Sequence, residues 1–234
     1  MGMTAGGPDL IQDGLVLCLD AGDRNSYQSG SLSWFDLSGN NNSGSLVNGP
    51  TFNTGSFGSI VFDGVNDYVE INTNPILPGV SGSVSVWFSI SNTTNNTVGN
   101  GGYCEIVSKH NPGTSFNGWA ITATTSSLSS FIKDGSTNWY LTTGSVIIPN
   151  RWYNAVITFQ SNSSLMLYTN GILSDSRSVG VLTTNINPLR LAISVDTFWA
   201  YFQGQIATTL IYNRVLSAQE VLQNYNAQKS RFGL

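Results

Sequence analysis

Charge is what this chain has least of. Asp, Glu, Lys and Arg make up 9% of its 234 residues, against about 25% in an ordinary soluble domain. The nine basic residues are scattered singly from Arg24 to Arg231. Without a basic stripe there is nothing to neutralise a run of phosphates, which excludes a nucleic-acid partner. No polybasic or amphipathic segment points to a membrane surface. Apolar runs such as Leu15–Leu19 are far too short to span a bilayer, so no membrane insertion is expected. Residues 1–13 show no cationic stretch followed by an apolar one, so no secretory leader is legible. Two cysteines, Cys18 and Cys104, provide neither a disulfide framework nor a metal-ligand spacing. Both are expected to be buried small hydrophobes.

In place of charge, Ser, Thr, Asn and Gly account for 102 of the 234 residues. Gly and Asn tolerate positive φ, and Ser and Thr suit pleated edges and side-chain-capped turns, so this mixture favours short strands joined by many turns. The pattern along the chain agrees. From Ser83 to Ile90, Val84, Val86, Phe88 and Ile90 alternate with Ser83, Ser85, Trp87 and Ser89, the period of a half-buried strand. Further strands read at 14–20, 59–62, 68–71, 103–109, 118–123, 128–133, 153–159, 165–169, 172–179, 189–194 and 205–212. Asn170-Gly171 marks a tight hairpin, and Asp134-Gly135 a second. Many short strands with regular turn signals imply an all-β antiparallel sandwich or jelly roll. Residues 1–13 form a polar arm ahead of it, expected to be disordered or to dock on a neighbouring subunit.

One helix is legible near the end. Ser217, with Glu220 three residues on, makes a capping box, with Leu216 and Val221 at the staple positions. Ala218, Val221, Leu222 and Tyr225 form its apolar stripe, which is expected to pack against an end or edge of the sandwich.

These segments carry a family resemblance. The run from Gly14 to Gly22 leads through Ser26-Tyr27 to Trp34-Phe35-Asp36 and Asn40. Asn48 to Phe52, Ile60 to Val69, and Ile211 to Ser217 with Glu220 follow in order. Residues 14–234 resemble the laminin-G-like branch of the concanavalin A-like jelly rolls, in particular the versions in virion proteins of tailed phages. Those chains often end in a segment like Asn224–Leu234. The resemblance implies a non-enzymatic virion surface protein, in a head decoration or tail fibre, that aids host attachment by binding glycans. The expected partners are virion capsid or tail proteins, host surface glycans and further copies of the chain. A purely structural decoration protein, or a glycan-binding module of a secreted cellular protein, is the alternative.

Jelly rolls of this kind also include glycoside hydrolases, whose chemistry needs two carboxylates facing one groove. Glu70, Glu105 and Glu220 are the only glutamates. Glu220 belongs to the cap, and the other two have no acidic neighbour two residues away. The lone histidine, His110, reads as an exposed turn residue after a strand. No Gly-x-Ser-x-Gly elbow accompanies it.

Two binding features remain. The loop from Asp36 to Asn42 is rich in oxygen ligands, and Asp36, Asn40 and Asn42 are the candidates for calcium, a cofactor the resemblance also implies. The other reading is a hydrogen-bonded Asx turn, and Ala207 stands where many relatives carry an Asp. Six tryptophans and nine tyrosines supply candidate sugar platforms. Trp87, Trp119 and Trp152 lie within strands and read as core or sheet-face residues. Trp139, Tyr140, Trp199 and Tyr201 lie by turns and are the glycan-binding candidates.

Overall fold

The alternating segment around Val84 is the middle of the molecule. The computed structural model describes residues 8–72, 79–91, 103–110, 117–123, 127–134, 139–193 and 201–234. The first strands are β1 (Leu15–Asp20), β2 (Ser33–Trp34), β3 (Gly44–Val47), β4 (Thr51–Asn53), β5 (Ser59–Asp63), β6 (Tyr68–Ile71), β7 (Ser81–Ile90) and β8 (Cys104–His110). They are followed by β9 (Asn117–Ala123), β10 (Ser127–Asp134), β11 (Trp139–Val146), β12 (Trp152–Gln160) and β13 (Ser164–Thr169). Then come β14 (Ile172–Ser178), β15 (Leu189–Leu191), β16 (Gln203–Tyr212) and the helix α1 (Ala218–Gln228).

The strands form two antiparallel sheets. One runs β14-β13-β12-β7-β16-β5-β4, with β1 also pairing β16; the other runs β11-β10-β9-β8-β15-β6-β3-β2. Chain-distant neighbours such as β7 and β16 make this a jelly roll, as expected from the turn-rich composition. Val84, Val86, Phe88 and Ile90 on β7 enter one core with Ile106, Trp119, Ile121, Leu189 and Leu191 of the opposite sheet. The hairpin turn at Asn170-Gly171 has φ of 52° and 79°, which is what its two-residue geometry requires. Both cysteines are free and buried. The short strands β2, β3 and β4, and β11 at the sheet edge, have too few residues or too little apolar alternation to stand out in the sequence. β15 stops at Leu191, earlier than its apolar run implied.

The largest departure concerns the other face of β7. Ser83, Ser85, Trp87 and Ser89 are all buried, although the alternation predicts a strand with one solvated face. The C-terminal segment covers Trp87 and Ser83. Trp87 stacks on Phe232 at 4.1 Å and on Tyr225 at 5.7 Å between ring centroids, and its Nε1 donates to Gln228 Oε1 at 2.8 Å. Ser83 Oγ accepts from the Leu216 amide at 2.8 Å and donates to the Arg214 carbonyl. Helix α1 therefore lies over a sheet face rather than at an end or edge. Its buried residues are Val221, Asn224 and Gln228, while Leu222 of the anticipated stripe is 43% exposed. Polar side chains face the sheet because each finds a partner there: Asn224 donates to the Tyr212 hydroxyl and accepts from the Ile11 amide. A satisfied polar group is tolerated in such a layer.

The N-terminal arm is likewise not free over its described part. Tyr212 donates to the Ile11 carbonyl, Gln223 to that of Asp9, and Arg214 pairs with Asp13 at 2.8 Å. Leu10 and Ile11 pack on the cluster of Cys18, Tyr212 and Val221. Residues 8–13 thus dock on their own domain, because β16, α1 and the turn between them present an apolar groove, donors for the arm's carbonyls and, at Asn224, an acceptor for the Ile11 amide. This corrects the expectation of an arm committed to a neighbour.

The capping box at Ser217 is present as read from the sequence. Arg214 grips Glu220 at 2.6 Å. That guanidinium, with the Ser217 amide and hydroxyl, pulls the Glu220 carboxyl down to about 2 from its usual 4.5. A carboxyl depressed in the folded state stabilises above its unfolded pKa, and the contribution is lost as pH falls through the folded value. Glu220→Gln should therefore lower stability by about 1 kcal/mol at neutral pH. The extra destabilisation of the wild type between about pH 4.5 and 2 should be reduced in the variant, measured by urea denaturation across that range.

Candidate functional site

A recess lies between the loop that follows β1 and the connection from β4 to β5. Asp20, at the end of β1, starts it. Its Oδ1 accepts from the Gly22 amide at 2.8 Å and from Arg231 Nη1 at 2.6 Å. Arg231 Nη2 reaches across to the Gly58 carbonyl at 2.7 Å, so the tail clamps both loops. The two backbones touch: a Cβ on Gly22 would lie 2.1 Å from the Phe57 carbonyl, and one on Gly58 2.6 Å from that of Ala21. Only glycine allows that approach.

Between these loops opens a cleft of about 630 Å³. Its apolar wall is Tyr27 tilted against Phe52, ring centroids 5.3 Å apart, with Phe57 standing 75% exposed at the rim. Phe57 holds φ of 59°, a left-handed conformation that costs a bulky residue on the order of 1–3 kcal/mol. An exposed ring held at such a cost is a reason to look for a ligand. Arg24, Gln28, Ser29 and Thr54 complete the cleft. All four are exposed. Tyr27, whose hydroxyl donates to the Ser31 carbonyl at 3.2 Å, is committed to the fold. Sequence reading missed this cleft because its walls come from segments some thirty residues apart.

A second cluster lies on the outer face of the other sheet. His110 is not an exposed turn residue. It is the last residue of β8, fully buried, with Nε2 at 2.9 Å from both Glu105 oxygens. Residues five apart face opposite ways on a regular strand, but the β8–β9 register shifts between Glu105 and Val107. The bulge inserts one residue and returns the two side chains to the same side. Ser108 Oγ donates to the Ile193 carbonyl, and Glu70 is held by Arg190 at 2.8 Å. These groups are tied to one another within the fold.

The oxygen-rich loop resolves differently from its calcium reading. Asp36 Oδ1 accepts from the Cys18 and Ser38 amides at 2.8 and 2.9 Å. Its Oδ2 accepts from Ser38 Oγ at 2.7 Å and the Asn42 amide at 3.0 Å. Asn42 Nδ2 donates to the Val16 carbonyl and Asn40 Nδ2 to Ser38 Oγ. Both carboxylate oxygens are filled by donors, whereas a hard cation needs lone pairs turned toward it. The arrangement fits an Asx turn that pins the loop to β1 and does not fit calcium. Among the described residues no three His, Cys, Asp or Glu side chains converge as ligands. Ala207 is buried with Trp87 and Phe232.

Of the aromatic candidates, Tyr140 packs against the core and donates to Asp134 Oδ2 at 3.2 Å, and Tyr201 is half-buried. Trp199 and the Trp139 side chain lie outside the described residues. Trp87 and Trp119 are buried, and Trp152 is partly buried against Phe232, in line with their strand positions.

A family model described as the concanavalin A-like lectin/glucanases superfamily, in its laminin G form, matches residues 63–222. No curated protein sequence matches. Among solved structures, the binding domain of Paraclostridial Mosquitocidal Protein 1 is similar over 92% of this chain and 52% of its own, with TM-score 0.74 and 22% identity. The botulinum neurotoxin serotype D ligand-binding domain, solved in complex with N-acetylneuraminic acid, is similar over 93% and 52%, with TM-score 0.72 and 18% identity. The binding domain of botulinum neurotoxin DC, in complex with SialylT, is similar over 93% and 52%, with TM-score 0.70 and 20% identity. The chain thus spans about half the length of each of these solved chains, and at this identity the likeness concerns the fold.

If the Asp36 loop is a turn, Asp36→Ala should cost about 2–3 kcal/mol by stranding backbone donors. The loss should be equal in 10 mM calcium and in chelator, as read from melting curves. A calcium-dependent rise in melting temperature in the wild type alone would restore the metal.

Proposed function

The chain belongs to the concanavalin A-like lectin/glucanase superfamily, and on that premise we propose that it is a non-catalytic carbohydrate-recognition domain. In this reading it is displayed on a virion surface and contributes to host attachment. The observation that carries the recognition role is the cleft at Phe57. It joins aromatic rings, which stack on the C–H faces of sugars, to exposed amide, hydroxyl and guanidinium groups that suit hydroxyls. Its volume is in the range of small-ligand sites. The non-catalytic reading is supported by the state of the glutamates: Glu105 is buried against His110, Glu70 is paired with Arg190, and Glu220 with Arg214. The virion setting rests on the ordered motifs from Gly14 to Leu234 that resemble phage virion proteins. Because residues 8–13 are spent on the domain itself, contacts with other virion subunits fall to other surfaces.

A glycan array followed by titration calorimetry tests this reading. Phe57→Ala should weaken binding of the selected glycan about tenfold, the scale of one aromatic contact. Phe57→Gly should weaken it equally while keeping or raising the melting temperature, because the left-handed backbone strain is relieved. If Trp139→Ala or Trp199→Ala abolishes binding and the Phe57 variants do not, the recognition role stands and moves to the other loops. A wild type that binds no glycan at millimolar concentration leaves a purely structural decoration protein.

A further inference from the structure

We infer that the cleft at Phe57 takes an acidic sugar whose carboxylate is read by Arg24, an inference that rests on the carbohydrate-recognition reading above. The cleft's lining contains one cation and no carboxylate. Arg24 is exposed and makes no ion pair among the described residues. Four of the five other arginines are committed: Arg190 to Glu70 at 2.8 Å, Arg214 to Glu220 at 2.6 Å, Arg231 to Asp20 at 2.6 Å and Arg177 to Asp175 at 3.2 Å. Arg151 is exposed and makes no ion pair among the described residues either, but it does not line the cleft. In a chain so poor in charge, an unpaired guanidinium beside an exposed aromatic ring is a specific placement.

The acids nearest in sequence, Asp20 and Asp23, make no ion pair with it among the described residues. Asp20 Oδ1 is occupied by Arg231 and the Gly22 amide. Asp23 Oδ1 accepts from the backbone and side-chain nitrogens of Asn25 at 2.8 and 3.1 Å. The net charge of −4 opposes an anion only weakly at a distance, since exposed charges are screened over about 8 Å at physiological salt. The local cation therefore decides the sign of ligand accepted. A guanidinium matches a carboxylate through two parallel N–H···O bonds. With the acid group fixed at Arg24, the sugar ring lies toward Phe57, and its hydroxyls toward Gln28 and Thr54.

The test compares matched acidic and neutral sugars on the full chain, using methyl glucuronide against methyl glucoside and N-acetylneuraminic acid against its methyl ester. Binding is read by saturation-transfer NMR and calorimetry. The wild type should bind each acid at least about tenfold more tightly than its neutral partner, and the preference should shrink between 50 and 500 mM salt. Arg24→Gln should remove the preference by weakening the acids far more than their neutral partners, with the melting temperature unchanged, and Arg24→Lys should restore part of it. Equal binding of acid and neutral forms by the wild type, or a preference that survives Arg24→Gln, overturns the inference and leaves carbohydrate recognition intact. A sulfated neutral sugar that binds as tightly as the acids would make the site a general anion reader and overturn the carboxylate assignment. Failure to bind any of the probes, together with a blank glycan array, removes the inference and the recognition reading together.

Discussion

The burial of Trp87 on the outer face of β7 is the constraint from which the rest of the molecule follows. A central strand with Val84, Val86, Phe88 and Ile90 on one side and Trp87 among serines on the other cannot leave that indole to water without exposing a large apolar ring at the middle of a sheet. The C-terminal segment answers this by laying Phe232 and Tyr225 on the ring and bringing Gln228 Oε1 to its N–H. Stacked aromatic pairs add about 0.5–1.5 kcal/mol beyond area burial, and the hydrogen bond removes the desolvation cost of the indole nitrogen. Once Phe232 is seated, Arg231 is carried to Asp20 and the Gly58 carbonyl. The shape of the cleft therefore depends on a stack formed on the outer sheet face.

The scarcity of charge has a structural counterpart. Arg214 joins the helix cap to the N-terminal arm, Arg190 ties β15 to β6, and Arg231 ties the tail to the β1 loop. Asp36 serves as an acceptor for three backbone amides. Each charge spent this way fixes a loop or a terminus on a sandwich whose sheets are held by apolar packing. Arg24 and the exposed polar groups of the cleft depart from that pattern, and departures of this kind are where recognition is expected to reside.

Period-two alternation was sufficient to place most of the strands, because a strand with an apolar face repeats every second residue. The Ser217–Glu220 box and the Asn170-Gly171 turn were legible because each is closed by atoms within a few residues. The same local logic failed at β8. Strict alternation puts Glu105 and His110 on opposite faces, and only the bulge between Glu105 and Val107 brings them together. It failed again on α1, whose apolar stripe leaves out Asn224 and Gln228, although these side chains meet Tyr212 and Trp87.

What the amino-acid sequence determined by itself was the class of fold, the boundaries of most of the longer strands within a residue or two, and the cap of helix α1, since all of these depend on near neighbours along the chain. The tertiary structure alone decided that the sheet bearing β7 is covered on both faces, that residues 8–13 return to the domain, and that the Asp36 loop is closed by backbone donors. It alone joined Arg24, Tyr27, Phe52 and Phe57 into one cleft. Those outcomes depend on which distant segments meet, and that is set by the competition among apolar faces for burial and among polar groups for partners.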